Sequence, residues 1–313
     1  MLLNTTTGIS TSKVLLVPYS KWHVPQYHEW MKDEEIQLLT ASEPLTLKEE
    51  YGMQESWRND ADKLTFIICH PTQNPYPYDD NAQVSLSEED DSATRMIGDI
   101  NLFLKIDDGE EGTLEPVVIG EIELMIAEKN DRGRGFGRAA LLAFLRYVIA
   151  HEGEVVGEFV GKDEMAVNVK KKALALDAEV GEGEGEKELK IAALSVKVGQ
   201  SNERSLALFE SVGFRRVTEE ANYFGEWELR KMDLGIGGVE GELEGSGVKG
   251  YREVTYFRLS PTSFASVVDQ NTFYMTASSQ FEKRITHLMR AEGLTPWTGM
   301  LTSFLPPRKI AHK

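Results

Sequence analysis

The residues with the most chemistry in this sequence lie between Gly120 and Arg138. Arg132-Gly-Arg-Gly-Phe-Gly137 puts glycine at every second position, so the backbone can turn with successive N–H groups aimed inward, and a helical pattern follows at once. Amides gathered at the positive end of a helix hold a pyrophosphate. Arg132, Arg134 and Arg138 add charge, although not all three can face one ligand. A Walker A loop would need Gly-Lys-Ser/Thr, which is absent. The dinucleotide fingerprint needs G-x-G-x-x-G after the opening strand, whereas here G-x-G-x-G follows roughly the fourth. A glycine-rich turn with no ligand is the competing reading. Just upstream, Gly120-Glu-Ile-Glu-Leu-Met-Ile126 alternates as a strand does, with Ile122, Leu124 and Ile126 on one face and Glu121, Glu123 and Met125 on the other.

The elements that must position these residues follow from periodicity and capping. Lys13–Val17, Lys63–Cys69, Arg95–Ile106, Gly120–Ile126, Ile191–Val198 and Glu253–Leu259 read as strands. Val24–Leu39, Leu47–Asn59, Arg138–Ala150 and Glu203–Ser211 read as helices, the second opened by a capping box in which Thr46 precedes Glu49 by three residues. The result is an α/β chain of layered α+β type. Ser278–Glu292 reads as a basic helix and the Pro306–Pro307 pair as coil, with no assigned role.

Composition bounds the rest. The chain has 313 residues, 51 Asp+Glu against 34 Lys+Arg, a net charge of −17, 41% hydrophobic residues and one cysteine. That is a globular composition with enough apolar material for a core, and it excludes wholesale disorder and fibrous classes. The acidic balance disfavours nucleic acid as a partner, since phosphate neutralisation needs a basic surface. No window approaches about 18 uninterrupted apolar residues, so no membrane span is expected. A lone Cys69 and an opening segment without a basic n-region or a long apolar run point to a reducing compartment, and a cytoplasmic location is expected. Three stretches, 71–93, 151–188 and 232–250, together carry −15 of the −17. Rich in Gly, Glu, Ser and Pro, they read as solvated insertions in a single domain over 10–260, within which a helix over Lys162–Ala178 would be an elaboration, with 261–313 as a C-terminal extension. Recruitment of a basic partner by an acidic tract is the other reading.

Two motifs carry a resemblance. Arg132-x-x-Gly135-x-Gly137 after a strand resembles the Q/R-x-x-G-x-G/A motif of the GNAT superfamily of N-acetyltransferases. Asn202-Glu-Arg-Ser205-Leu-Ala-Leu-Phe209-Glu-Ser-Val-Gly213-Phe214 resembles that superfamily's second motif, N-x-x-S/A-x-x-L-Y/F-x-x-x-G-F. Leu16-Val-Pro-Tyr19, Tyr27-His-Glu-Trp-Met-Lys32, Thr40-Ala-Ser-Glu-Pro-Leu-Thr46, Asp60-Ala-Asp-Lys63, Gly98-Asp-Ile-Asn101, Lys197-Val-Gly-Gln200 and Glu253-Val-Thr255 narrow it to the N-acetyltransferase-9-like family.

The resemblance implies a mixed, mostly antiparallel sheet flanked by helices and splayed between its fourth and fifth strands, with acetyl-coenzyme A as cosubstrate and no metal. Its pyrophosphate would lie on Arg132, Gly133, Arg134, Gly135, Phe136, Gly137 and Arg138. Its pantetheine arm would lie along Met125, Ile126 and Ala127, with Asn202, Ser205 and Phe209 on the far side. Glu121 or Glu123 would then be the general base, because an amine of pKa about 8 must lose a proton before attack, with Glu121 ahead because its distance from Arg132 matches the base position of some superfamily members. Solvation of both glutamates is the alternative. Phe209 stands where many members have a tyrosine that protonates the departing thiolate; Ser205 could supply a hydroxyl instead, or simply bond backbone. Asn202 also suits a helix N-cap. Glu43, in the segment bordering the acceptor site, is either a substrate contact or a turn residue before Pro44. The histidines have no metal-ligand spacing.

The function implied is acetyl transfer to a protein amine, an N-terminal α-amino group, with tubulin suggested by the family. Alternatives are a ribosomal-protein N-terminus, a lysine or a small amine, or a catalytically weak cofactor-binding module that works by binding a partner.

Overall fold

The computed structural model describes residues 1–72, 86, 88–107, 117–162, 167 and 189–257. Among them, strands β1 (Thr7–Ser10), β2 (Leu15–Pro18), β3 (Lys63–Cys69), β4 (Met96–Asp107), β5 (Val117–Ile126), β6 (Ile191–Gly199), β7 (Arg215–Arg216), β8 (Glu226–Lys231) and β9 (Arg252–Thr255) form one sheet. Its order is β7-β8-β6-β5-β4-β3-β2-β1-β9. Every neighbouring pair is antiparallel except β5 with β6. The helices are α1 (Val24–Trp30), α2 (Glu34–Thr40), α3 (Leu47–Asn59), α4 (Phe136–Ala150), α5 (Glu152–Lys162), α6 (Glu203–Ser211) and α7 (Ile236–Gly245). This is the mixed, mostly antiparallel, helix-flanked sheet that the resemblance implies.

Side-chain alternation gives the sheet two different faces. On one, Leu102, Leu104, Val118, Ile122, Leu194 and Val196 join the apolar side of α4 in the main core. On the other, Leu15, Val17 and Ile67 pack with Tyr19 and with Val24, Tyr27 and Trp30 of α1. The capping box at α3 is present, with Glu49 N–H donating to Thr46 Oγ1 and Thr46 N–H donating to Glu49.

Several sequence expectations are corrected. Val24–Leu39 is two helices, because Asp33 leaves helical geometry and caps α2 by accepting from Glu35 N–H at 2.9 Å. Strands β1, β7 and β8 had no clear signal, since a strand such as Glu-Trp-Glu-Leu-Arg-Lys shows little apolar alternation. The reading of 151–188 and 232–250 as solvated loops fails for their described parts. Helix α4 is buried without a break from Ala139 to Leu145, and a helix apolar on every side needs cover beyond the sheet. Helix α5 adds Val155, Val156, Phe159 and Val160 to that core, and α7 adds Val239 and Leu243. Glycine and glutamate dominate both segments and mask these few apolar residues at helical spacing. In the first acidic stretch Asp91 is buried, accepting from Trp22 Nε1 at 3.0 Å and Tyr256 Oη at 2.5 Å, with His23 Nε2 at 3.0 Å. Most of 163–188, and all of 258–313 with the expected Ser278–Glu292 helix and Pro306–Pro307 coil, lie outside the described residues.

Candidate active site

The site begins where two strands part. Strand β5 pairs with β6 from Val118↔Ile191 to Glu121↔Ser195 and no further. Beyond that point β6 keeps its partner β8 as far as Gly199↔Glu226, while β5 follows β4 to Ile126↔Gly98. Gly98 permits that close approach, for a Cβ there would stand 1.9 Å from the Met125 carbonyl oxygen. The edges of β5 and β6 that face each other past the fork therefore carry backbone groups with no strand partner, and a strand-like ligand can be accommodated between them.

At the end of β5, Glu128 is held by Trp30 Nε1 at 2.7 Å, and a 3₁₀ turn over Lys129–Asp131 leads into the glycines. Gly133 and Gly135 take φ of +71° and +85°, left-handed backbone in which a side chain is strained. Gly135 is the N-cap of α4 and has no side chain to satisfy the first turn. Among the described residues no acceptor meets the N–H groups of Gly135, Phe136, Gly137 and Arg138. A row of free amides at the start of a long helix fits a diphosphate.

The three arginines of this turn have protein partners. Arg132 donates through Nε to the Ile126 carbonyl at 2.8 Å and through Nη2 to the Ala127 carbonyl at 3.3 Å, and pairs with Glu35 of α2 at 3.2 Å. Arg134 pairs with Asp131 at 2.7 Å. Arg138 donates to Ser211 Oγ at 2.6 Å, tying α4 to α6. Ala127 N–H is spent on the Ile97 carbonyl at 2.8 Å. On the far side of the fork, Asn202 caps α6 by accepting from Ser205 N–H at 3.2 Å. The half-buried Ser205 hydroxyl makes no hydrogen bond among the described residues. Phe209 is only 3% exposed and meets Phe214 edge-on at 5.2 Å, so it anchors α6 in the core. Gly137 lies where these parts converge, with Leu208, Ile126 and Leu124 within 3.6 to 3.8 Å of where its Cβ would be.

Glu121 and Glu123 share one face of β5 yet differ sharply. Burial acts to raise the Glu121 carboxyl, but hydrogen bonds and charge from Lys105 at 2.9 Å and Lys197 at 3.1 Å outweigh it and hold it below the usual range. Glu123 has no such partner among the described residues. Desolvation first, then the nearby charges of Asp99 and Glu121, push it up to about 7 against a weaker opposing pull from Lys197. Its side chain is exposed to solvent on this face of β5.

Sequence reasoning missed three polar residues on this face. Asn101 stands directly across β4 from Glu123, Asp99 is two residues along, and Ser195 marks the last rung before the fork. Asn101 Nδ2 donates to Asp99 at 2.9 Å. Burial raises Asp99 to about 6 despite hydrogen bonds from Asn101 and Tyr27. Buried Asn101 Oδ1, Thr65 Oγ1 and Ser195 Oγ have no hydrogen-bond partner among the described residues. Alternation in Asp99-Ile-Asn101 was the available signal, but only strand pairing puts it beside Glu123. Glu43 is exposed between α2 and α3 and makes no ion pair or hydrogen bond among the described residues. No cluster of three or more His, Cys, Asp or Glu suited to a metal occurs among the described residues, and no described helix is long and apolar enough to cross a membrane.

Comparison with known proteins fits this geometry. The family model described as "Acetyltransferase (GNAT) domain" matches residues 13–215. The chain is similar to the human alpha/beta-tubulin-N-acetyltransferase 9, with 38% identity over 74% of this chain and 85% of that protein. It is similar to the N-acetyltransferase 9-like protein of Schizosaccharomyces pombe, with 36% identity over 74% of this chain and 99% of that one. The Drosophila melanogaster alpha/beta-tubulin-N-acetyltransferase 9 is 42% identical over 53% of this chain and 74% of its own length. With a forked sheet, a free-amide turn and a matched domain that spans both, the chain belongs to the GNAT family of acetyltransferases.

Proposed function

We propose that this protein transfers an acetyl group from acetyl-coenzyme A to the α-amino group of a protein N-terminus in the cytoplasm, and that tubulin is the acceptor. The observation that carries the reading is the fork between β5 and β6, which has the free amides of Gly135–Arg138 at one end and Glu123 along its open face. The names of the relatives from human and Drosophila support tubulin.

In this reading acetyl-coenzyme A supplies an activated acyl group as its thioester. The Gly133–Arg138 turn receives the diphosphate through backbone amides, and the edges of β5 and β6 that part beyond Glu121↔Ser195 align the pantetheine arm. Asn202 and Ser205 border that arm from α6. Glu123 takes the proton from the incoming amine. A base works best when its pKa lies near the working pH, and a carboxyl at about 7 facing an amine of pKa about 8 is well matched. Glu121, neutralised by two lysines, is the weaker base and helps to keep Glu123 raised. Phe209 donates no proton, so the thiolate, with a pKa of about 8.5 for its conjugate thiol, leaves to solvent or toward the Ser205 hydroxyl. Asp99, buried with Asn101 and Tyr27 on the same face, favours a cationic group near Glu123.

The test is incubation with isotopically labelled acetyl-coenzyme A and peptides representing tubulin, ribosomal-protein and unrelated N-termini, with mass spectrometry locating the label. Label on the α-amine of tubulin peptides is expected. Label confined to lysine side chains or small amines would transfer the reading to those acceptors.

A further inference from the structure

The cations of the glycine turn are already committed. Arg132 is bound to two carbonyls and Glu35, Arg134 to Asp131, and Arg138 to Ser211. Asp131 is also met by His70 Nε2 at 3.2 Å. A coenzyme with several phosphate charges would thus find amides here but few unpaired positive charges. Among the described residues, a cation without an ion pair reaches the turn from elsewhere. Lys13 sits in the tight connection between β1 and β2, and its Nζ lies 5.5 Å from the centre of the Phe136 ring in the first turn of α4. Its Cε is 3.9 Å from where a Cβ on Gly135 would be. Among the described residues it has no acidic partner.

The connection that carries Lys13 is firmly built. Buried Thr11 accepts from Lys13 N–H at 3.2 Å and Val14 N–H at 2.9 Å, and it donates to the Val14 carbonyl at 3.0 Å. Ser12 N–H donates to the Lys249 carbonyl at 2.8 Å, and Lys249 N–H returns a bond to Ser12 Oγ at 2.9 Å. Only the lysine side chain is left free to move, and its stem lies beside the backbone that a phosphate must approach. A flexible ammonium with three donors acts as a point charge for phosphate.

We propose that Lys13 is a coenzyme-binding residue that pairs with a phosphate group of acetyl-coenzyme A at the Gly135 turn, taking the part that the motif arginines do not. This inference rests on the proposed use of coenzyme A. Titration calorimetry of the full chain with coenzyme A and with 3′-dephospho-coenzyme A tests both. Lys13→Met, which keeps the stem and removes the charge, should weaken coenzyme A binding roughly tenfold, as expected for loss of a charge-assisted contact, and Lys13→Arg should restore most of it. Binding by Lys13→Met should also depend less on salt. If the variant's defect persists with the dephospho form, Lys13 pairs with the diphosphate; if it vanishes there, Lys13 pairs with the 3′-phosphate. Unchanged affinity in Lys13→Met, with the parent protein binding normally, overturns the Lys13 assignment alone. Failure of the parent to bind either compound overturns the proposed function and this assignment with it.

Discussion

The two faces of the β4–β6 region are built from the same three strands and have opposite properties. Toward α4 they present Leu102, Leu104, Val118, Ile122, Leu194 and Val196, which are buried. Toward the fork they present Asp99, Asn101, Glu121, Glu123, Ser195 and Lys197, a polar array with orphaned hydrogen-bonding atoms. A period of two lets a single strand serve both stability and chemistry without compromise between them. The dry, apolar face is closed by α4 and, around it, by α5 and α7; the polar face buries Asp99, Asn101 and Ser195 and leaves Glu123 exposed beyond the point where β5 leaves β6. Loss of function without loss of stability should therefore map to one face, and the reverse to the other.

The largest effect is expected from Glu123→Gln. Removing a general base costs about 10²–10⁴ in turnover, and coenzyme affinity should not change. In the parent protein activity should fall as pH drops through about 7, because Glu123 then holds a proton and cannot accept another. That acidic limb should flatten in the variant. Full turnover by Glu123→Gln at every pH would remove the chemistry from this face.

On the dry face, Phe144→Ala should destabilise by about 3–5 kcal/mol in urea denaturation, because a fully buried ring in edge contact with Phe66 at 6.0 Å leaves a cavity. Leu243→Ala in α7 should cost less, about 2–3 kcal/mol, since this side chain caps the outer side of α4. A value near zero would restore the view of residues 232–250 as a solvated loop. The smallest change is expected from Glu121→Gln. With two lysines already holding its charge, the loss in kcat should stay below about tenfold, a barrier change under about 1.4 kcal/mol. A loss exceeding that of Glu123→Gln would exchange the roles of the two glutamates.

What could be read in the chain itself was local. Periodicity located β3 to β6 and helices α3, α4 and α6, and the Thr46–Glu49 capping box marked a helix start that the structure reproduces. Glycine spacing exposed the turn before α4, because positive φ at Gly133 and Gly135 is a demand that few residue types meet. The two glutamates were legible as neighbours on one face of a strand. Elements whose apolar residues are few, such as α5 and α7, were hidden by acidic composition, since burial there depends on what α4 requires and not on the segment's own average.

The division between the glutamates was decided only by tertiary structure. Both have the same residue type, strand and face, so no local rule separates them. Lys105 comes from β4 and Lys197 from β6, and their approach to Glu121 depends on how three strands are paired. The same holds for Lys13, which is more than a hundred residues from the turn it reaches in the chain. Sequence determines backbone turns and strand faces because those depend on neighbours in the chain. A carboxyl's proton affinity and a cation's freedom depend on charges and desolvation across space, and these exist only once the sheet has formed.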